Sequence, residues 1–469
     1  MYFRLKEPWA FRGWSELPFA IRAERGDKKF DKPYFFKKEP FMDLLFCNGE
    51  EDVNQTSLSE EGWQHIRKLV ELDIVEESPD PLPPLARWQR YRIFPGRYIS
   101  WVHWSITGKC NFNCRHCLVS APDAHLPQLP IEDILHIADE IARAGIRRAD
   151  ITGGEPLLRQ DFERIVEALS AADVAIGVVY TNASLLSDET LDMFERHGQH
   201  PAFQLSFDGL EHHDWLRGVP GAEAQADAAF RLLRKRGYRA NAAMCIHREN
   251  RDSLRDTANY LAGLGVDNLK VNSPAVMGEW RDYSDEFALT DGELWETYRD
   301  FIPNWFADGM PIGIELDGYF HCRKDDTNYR IGYAHHCTSD TDWTKIPYCE
   351  ATRYMMHIGP DGRAYACMAF SDSVQKDSMP SLLEQPLSEI SLASAYRDVV
   401  DTKVADLLAK NPECASCEHL PACCGGCMAQ DMTDDGDYLV PESRCCYFYK
   451  HVGEQAVRDI ADAAIAKLG

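Results

Sequence analysis

The sequence predicts an α/β fold centred on a parallel sheet of six βα units, and three observations lead there. Strand-like apolar runs alternate with amphipathic helical patterns from Tyr98 to about residue 315. Cysteines crowd directly behind the first of those runs and again in the last third of the chain. A stretch holding Pro79, Pro81, Pro83 and Pro84 separates the alternating region from a shorter segment before it.

Residues 1–85 read as a small α+β unit. Strand-like pieces at 19–23 and 30–36 flank a Gly26-Asp27 turn signal, and helical patterns follow. In the clearer helix Ser59, Glu60, Glu61 and the nearby Asn54 are start signals, and Trp63, Ile66, Leu69, Val70 and Ile74 form an apolar stripe. The six strands expected next are 99–106, 149–152, 175–180, 203–207, 242–246 and 268–271. Between the first two, Pro130 suits a first helical turn, Ile131, Ile134, Leu135, Ala138 and Ile141 share a face, and Gly145 stops the helix.

Bulk composition narrows the function. A chain of 469 residues is expected to hold two or three domains, at roughly 150 residues each. With 45% hydrophobic and 27% charged residues and no long apolar run, it reads as a soluble protein without a membrane span. Charge throughout residues 1–12 argues against a signal peptide, so a cytoplasmic location is expected. A net charge of -25 counts against nucleic acid as a partner, because phosphate binding needs a basic face. Sixteen cysteines in such a chain point to metal rather than disulfides.

Cys110, Cys114 and Cys117 stand within eight residues, on what must be a loop after the first sheet strand. Three thiolates can hold three irons of a cubane and leave the fourth open. On spacing alone a zinc loop is the alternative, although structural zinc generally takes four ligands. Thr152-Gly153-Gly154-Glu155-Pro156 follows the second strand; glycines permit close approach to a ligand, and a carboxylate can pair with an ammonium.

The CxxxCxxC string, with His116 where a flat ring usually precedes the last cysteine, resembles the radical S-adenosylmethionine (SAM) superfamily, as does the GGEP sequence. The resemblance implies a partial (β/α)6 TIM-type barrel with a SAM-binding 4Fe-4S cluster on Cys110, Cys114 and Cys117. It implies that Gly153, Gly154 and Glu155 hold the SAM amino group, that Ser206 meets the ribose and Arg217 the carboxylate. His116, Thr181, Asn182 and Asp208 complete the expected cofactor-binding set. Reductive cleavage of SAM would yield a 5'-deoxyadenosyl radical that removes a hydrogen atom from substrate, while the protein positions that atom and excludes water or oxygen.

The C-terminal third, with Cys349, Gly362, Cys367, Cys414, Cys417, Cys423, Cys427, Cys445 and Cys446, resembles the SPASM domain. By that resemblance Cys349, Cys367, Cys427 and an upstream cysteine, Cys337 or else Cys322, hold a first auxiliary 4Fe-4S cluster; if neither reaches, that cluster keeps an open iron able to hold substrate. Cys414, Cys417, Cys423 and Cys445 hold a second, with Cys446 able to replace Cys445. Three clusters are thus expected. Cys424 has no assigned role, and Cys47 and Cys245 are expected to be core thiols. Met368 stands where sulfatase-maturing relatives place an aspartate base, which counts against that reaction.

The N-terminal unit, expected as three strands and three helices, resembles the winged-helix-like RiPP recognition element. That implies a precursor peptide bound by strand addition along Pro33 to Phe36 and against the helix from Trp63 to Val75. The expected organisation is a peptide-binding domain at 1–85, a radical SAM barrel at 86–320 and a SPASM domain at 321–469. The expected reaction is an intrapeptide crosslink, thioether favoured over carbon–carbon, with flavodoxin or ferredoxin as reductant. An oxidase or epimerase acting on a small molecule or folded protein, and a zinc-stabilised binding protein, are the alternatives.

Overall fold

The computed structural model describes residues 1–16, 18–24, 32–118, 127–332, 337–338 and 340–468. The expected turn at Gly26-Asp27 and the start of the strand at Phe30 lie outside the described residues. The chain forms two compact units, the first made of Met1–Ile99 with Arg143–Ile146 and Pro386–Leu392, the second of the remainder.

In the first unit β1 (Tyr2–Leu5), β2 (Trp9–Trp14), β3 (Phe19–Ala23) and β4 (Tyr34–Phe36) precede α1 (Lys38–Leu44) and α2 (Glu60–Glu71), with β5 (Val75–Ser78) and β6 (Arg92–Phe94) after them. Ser59 caps α2 by accepting from the Gly62 N–H at 2.9 Å. Ile66 and Leu69 of α2 meet Phe11, Ile21, Phe41 and Leu44 in one core, each such side chain contributing about 1.5–3 kcal/mol on burial. Two α-helices stand where three were expected; a short 3-10 turn, Val53–Gln55, occupies the space between them. The unit runs past residue 85 because β6 pairs with β2, Trp14 opposite Phe94, in a sheet of order β4-β3-β2-β6. β4 is an edge strand, and its Tyr34 and Phe35 are 37% and 40% exposed.

A buried ion cluster ties β2 to β3. Glu24 accepts from Arg12 Nε at 2.8 Å and from Arg22 Nη2 at 2.6 Å. Burial alone would push this carboxyl up, but the Arg12 hydrogen bonds and the Arg22 charge outweigh it and hold Glu24 at about 2.

The second unit carries a ten-stranded sheet. β7 (Trp101–Ser105), β8 (Arg148–Thr152), β9 (Ala175–Thr181), β10 (Ala202–Ser206), β11 (Ala240–Cys245) and β12 (Asn268–Asn272) are the six expected strands, within two residues at each end. They lie side by side in chain order and pair in parallel. α3 (Ile131–Arg143), α4 (Phe162–Ala171), α5 (Asp188–Arg196), α6 (His213–Arg217), α7 (Ala222–Arg236) and α8 (Leu254–Leu264) make the crossovers. In α3 the buried face includes Ile134, Ile137, Ala138 and Ile141, with Ile137 rather than Leu135 turned inward.

Two additions were not legible in the alternating pattern. β13 (Gly313–Leu316) extends the parallel run beyond β12 and turns back into the antiparallel β14 (Phe320–Cys322). On the other side β15 (Met355–Ile358), from the cysteine-rich third, pairs in parallel with β7, Met355 opposite Trp101. Its hairpin partner β16 (Ala364–Tyr365) ends the sheet. The sheet is therefore an open, partial barrel whose first strand is flanked by the C-terminal third. Among the described residues no helix is long and apolar enough to cross a membrane.

Candidate active site

The C-terminal ends of β7 to β12 surround a cavity of about 460 Å³, the end of a parallel barrel where loops assemble sites. Cys110, Cys114, His116 and Cys117 line it from the loop after β7; Gly153 and Gly154 from β8; Thr181 and Asn182 from β9; Ser206 from β10; and Arg217 from α6. The thiol loop is tied down on several sides. Gly154 N–H donates to Thr107 O at 2.9 Å and Glu155 N–H to Lys109 O at 2.8 Å, while Arg115 N–H reaches Leu216 O at 2.9 Å. A Cβ on Gly154 would sit 2.3 Å from Lys109 O, so only glycine lets β8 come this near the thiol loop. Gly218, at φ +67, does the same from α6; its Cβ would lie 2.2 Å from Asn113 O.

The surroundings suit an iron-sulfur cluster. Burial pushes the Cys110 thiol up to about 12, with Cys114, Glu155 and Cys117 adding to it, so three thiols converge in a pocket where a metal would be needed to keep them deprotonated. Arg217 Nη1 lies 3.8 Å from Cys114 Sγ and Asn182 Nδ2 3.9 Å from Cys110 Sγ, two donors aimed at would-be thiolates. Among the described residues His116 Nδ1 is buried without a hydrogen-bond partner, and burial, then the Arg217 charge, hold the ring down at about 3.

Two of the residues expected to bind SAM are engaged within the protein. Glu155 is fully buried, and its carboxylate accepts from Leu157 N at 3.0 Å, Thr181 Oγ1 at 2.8 Å and Asn182 N at 2.7 Å. It clamps the end of β8 to the end of β9 behind the cavity wall. Burial pushes it up to about 7 against those hydrogen bonds. Asp208 is also fully buried; it accepts from Arg217 Nε at 2.6 Å and Nη2 at 3.2 Å, lies 3.0 Å from His213 Nδ1, and accepts from Cys245 N at 2.9 Å. Burial opposes its charge, but the Arg217 guanidinium holds it well below the usual carboxylate range. Asp208 thus aims Arg217 at the cavity. His116, Asp208 and Cys245 also converge within 4.8 Å, yet Arg217 already supplies the cation there.

Cys245 and Tyr180 line the cavity as well, as do Asn272 and Met368. Cys245 is therefore a wall thiol rather than the core thiol expected from its isolation. The usable signal was its place as the last residue of a barrel strand.

In the C-terminal third the thiols fall into two groups and a pair. Burial, then Cys427 and Cys349, push Cys367 up to about 12, and Cys427 stands near 11 through burial, Glu442 and Cys349. These three gather beside Met368. The expected upstream partners are elsewhere: Cys337 lies 3.8 Å from Cys424, and Cys322 donates to Asp326 O at 3.2 Å. Cys337 is held at the turn 420–424 by its N–H, which donates to Pro421 O at 3.2 Å.

The second group is Cys414, Cys417, Cys423 and Cys446. Cys414 is raised to about 11 by burial and then by Cys446, Glu413, Cys423 and Cys417. Cys446 in turn is raised by burial and by Cys423 and Cys417. Cys445 instead stands over Cys423, which it lowers to about 7 by a hydrogen bond between the thiols. Consecutive helical residues point about 100° apart, so Cys446 faces Cys414 while Cys445 faces Cys423. Removing the Cys446 thiol by Cys446→Ala is expected to lower iron content by about one cluster, roughly four irons per chain, while Cys445→Ala leaves it unchanged; anaerobic iron assay decides between them.

This architecture defines a SAM-cleaving iron-sulfur enzyme, with a three-thiol loop at the mouth of a partial barrel and further cysteine sets behind it. Residues 104–261 match the radical SAM superfamily model and residues 349–418 that of the SPASM iron-sulfur cluster-binding domain: the chain is a radical SAM enzyme with a SPASM domain. It is 27% identical over 371 residues to the AdoMet-dependent heme synthase of Methanosarcina barkeri, covering 74% of this chain and 96% of that protein. It is 26% identical over 331 residues to the mycofactocin maturase MftC of Mycolicibacterium smegmatis, covering 70% and 77%. In fold it is similar to Streptococcus suis SuiB bound to precursor peptide SuiA, with a TM-score of 0.65 at 14% identity, over 94% of this chain and 99% of that one.

Proposed function

We propose that the enzyme matures a ribosomally made precursor peptide by closing a thioether from a peptide cysteine to a carbon activated by hydrogen abstraction. The observation that carries this is the set Cys349, Cys367 and Cys427, gathered next to the cavity residue Met368 with neither Cys337 nor Cys322 beside it. A cluster held by three thiols keeps an iron for a substrate thiolate, and coordination deprotonates a thiol outright. That matters because, among the described residues, no aspartate or glutamate lines the cavity as a base. Maturation also accords with the names of MftC and of SuiB with its bound precursor.

Cys110, Cys114 and Cys117 would hold the SAM-binding cluster, which would supply the radical chemistry for hydrogen abstraction. The protein's own residues do the placing. Arg217, held by Asp208, is a cation for the SAM carboxylate; Ser206 faces the ribose; Gly153, Gly154, Thr181 and Asn182 shape the wall, and His116 closes the loop beneath. Cys349, Cys367 and Cys427 would hold one auxiliary cluster and Cys414, Cys417, Cys423 and Cys446 another, three clusters in all, and these would supply redox capacity for the surplus electron. We assign residues 1–85, with β6 added to their sheet, to peptide recognition, the rest of 86–320 to the barrel and 321–469 to the auxiliary clusters. The leader would add to the free edge of β4, where Tyr34 and Phe35 are exposed. The setting would be cytoplasmic, with flavodoxin or ferredoxin as reductant.

The test incubates the anaerobic enzyme with SAM, reductant and the cysteine-containing peptide encoded beside it. The product should lose two hydrogens per crosslink and its cysteine should resist alkylation. A mass loss with the cysteine still alkylatable would replace thioether by carbon–carbon closure, and an unchanged mass would remove crosslinking altogether.

A further inference from the structure

We propose that Cys337 and Cys424 are a redox-modification site, a thiol pair that closes reversibly to a disulfide and ties Cys337 to the turn carrying Cys423. Their sulfurs are 3.8 Å apart, and the backbones are already joined by the Cys337 N–H to Pro421 O hydrogen bond at 3.2 Å. To form a disulfide the sulfurs must close from this separation to ~2.05 Å.

Local conformation shows how the pair is separated from the cluster thiols. Cys424 has φ +48, a left-handed conformation that residues with a side chain seldom adopt. The effect is to send neighbouring thiols apart. Cys423 faces Cys414 and Cys446, whereas Cys424 enters an apolar pocket with Val404 and Leu420, against which Cys337, Trp343 and Ile346 pack. Among the described residues no histidine, carboxylate or third thiol joins the two as a metal-ligand group. Cys424 is 2% exposed and Cys337 is partly exposed, so an oxidant reaches Cys337 first.

The reaction balances with a small disulfide such as oxidised glutathione. The Cys337 thiolate attacks it and releases one glutathione; Cys424 then displaces the second as the Cys337–Cys424 bond forms. Two electrons and two protons pass from the protein pair to glutathione disulfide, giving two glutathione thiols. The closed form braces the turn that presents Cys423 when the thiol pool becomes oxidising, and thioredoxin-type or phosphine reductants reopen it.

The experiment uses cluster-loaded, full-length protein exposed anaerobically to oxidised glutathione, then acid-quenched, alkylated, digested and read by mass spectrometry. One crosslink joining the Cys337 and Cys424 peptides is expected, reversible by phosphine, with iron content unchanged and the crosslink absent from Cys337→Ser and Cys424→Ala. Because Cys337 is partly exposed and Ser is close to it in size, Cys337→Ser disturbs the packing around the pair least. Separate alkylation of both thiols after exposure, or glutathione remaining on Cys337 without resolution, would overturn the proposal. So would loss of iron in Cys337→Ser, which would make that thiol a cluster ligand.

Discussion

Cys114→Ala is expected to bring reductive SAM cleavage to background, a loss of at least about 100-fold, given that even residues behind a metal ligand commonly cost 10–100-fold. Only two thiols would remain in the loop, and the Arg217 nitrogen now 3.8 Å from Cys114 Sγ would lose its facing anion. The readout is 5'-deoxyadenosine formed under strong reductant. Cys423→Ala is the informative partner, because its thiol belongs to the group with Cys414 and Cys446 and not to the cavity loop. It should still release 5'-deoxyadenosine while forming no modified peptide. Equal loss of both products in Cys423→Ala would refute the division of labour between the two cysteine regions.

Asp208→Asn is expected to lower stability by about 3–5 kcal/mol, the cost of leaving a buried ion without its partner. Asp208 is fully buried and binds Arg217 through both carboxylate oxygens. An amide keeps the shape and removes the charge, so Arg217 is left as a buried cation beneath the cavity. Both the thermal midpoint and SAM affinity should fall. The double substitution Asp208→Asn with Arg217→Met should recover much of the thermal midpoint, since apolar replacement of a buried pair is often neutral, while SAM binding stays lost. Full recovery of SAM affinity in that double variant would show that Arg217 has no part in holding the ligand.

Much of this site could be read from residue order. The three-thiol loop, GGEP and the strand-end residues Thr181, Asn182 and Ser206 each follow a strand, and a parallel strand delivers whatever follows it to one face of the sheet. Cys245 was misjudged because an isolated cysteine carries no spacing signal; only its strand-end position marks it. Glu155 and Asp208 illustrate a different difficulty. A motif names the residue but not which of its neighbours will claim the carboxylate, and here backbone amides and Arg217 do so. The third expected N-terminal helix failed because polar residues around Val53–Gln55 support a short turn as readily as a helix.

Sequence by itself determined the class of chemistry, because cluster ligation depends on thiols at short fixed separations along one loop, and the alternating pattern carried that loop to the end of a strand. Tertiary structure alone decided which distant cysteines meet: Cys446 rather than Cys445 with Cys414, and Cys337 with Cys424 rather than with Cys349. It also alone placed β15 beside β7. Contacts between segments far apart in the chain depend on packing and on side-chain direction, such as the left-handed turn at Cys424, and spacing along a chain encodes neither.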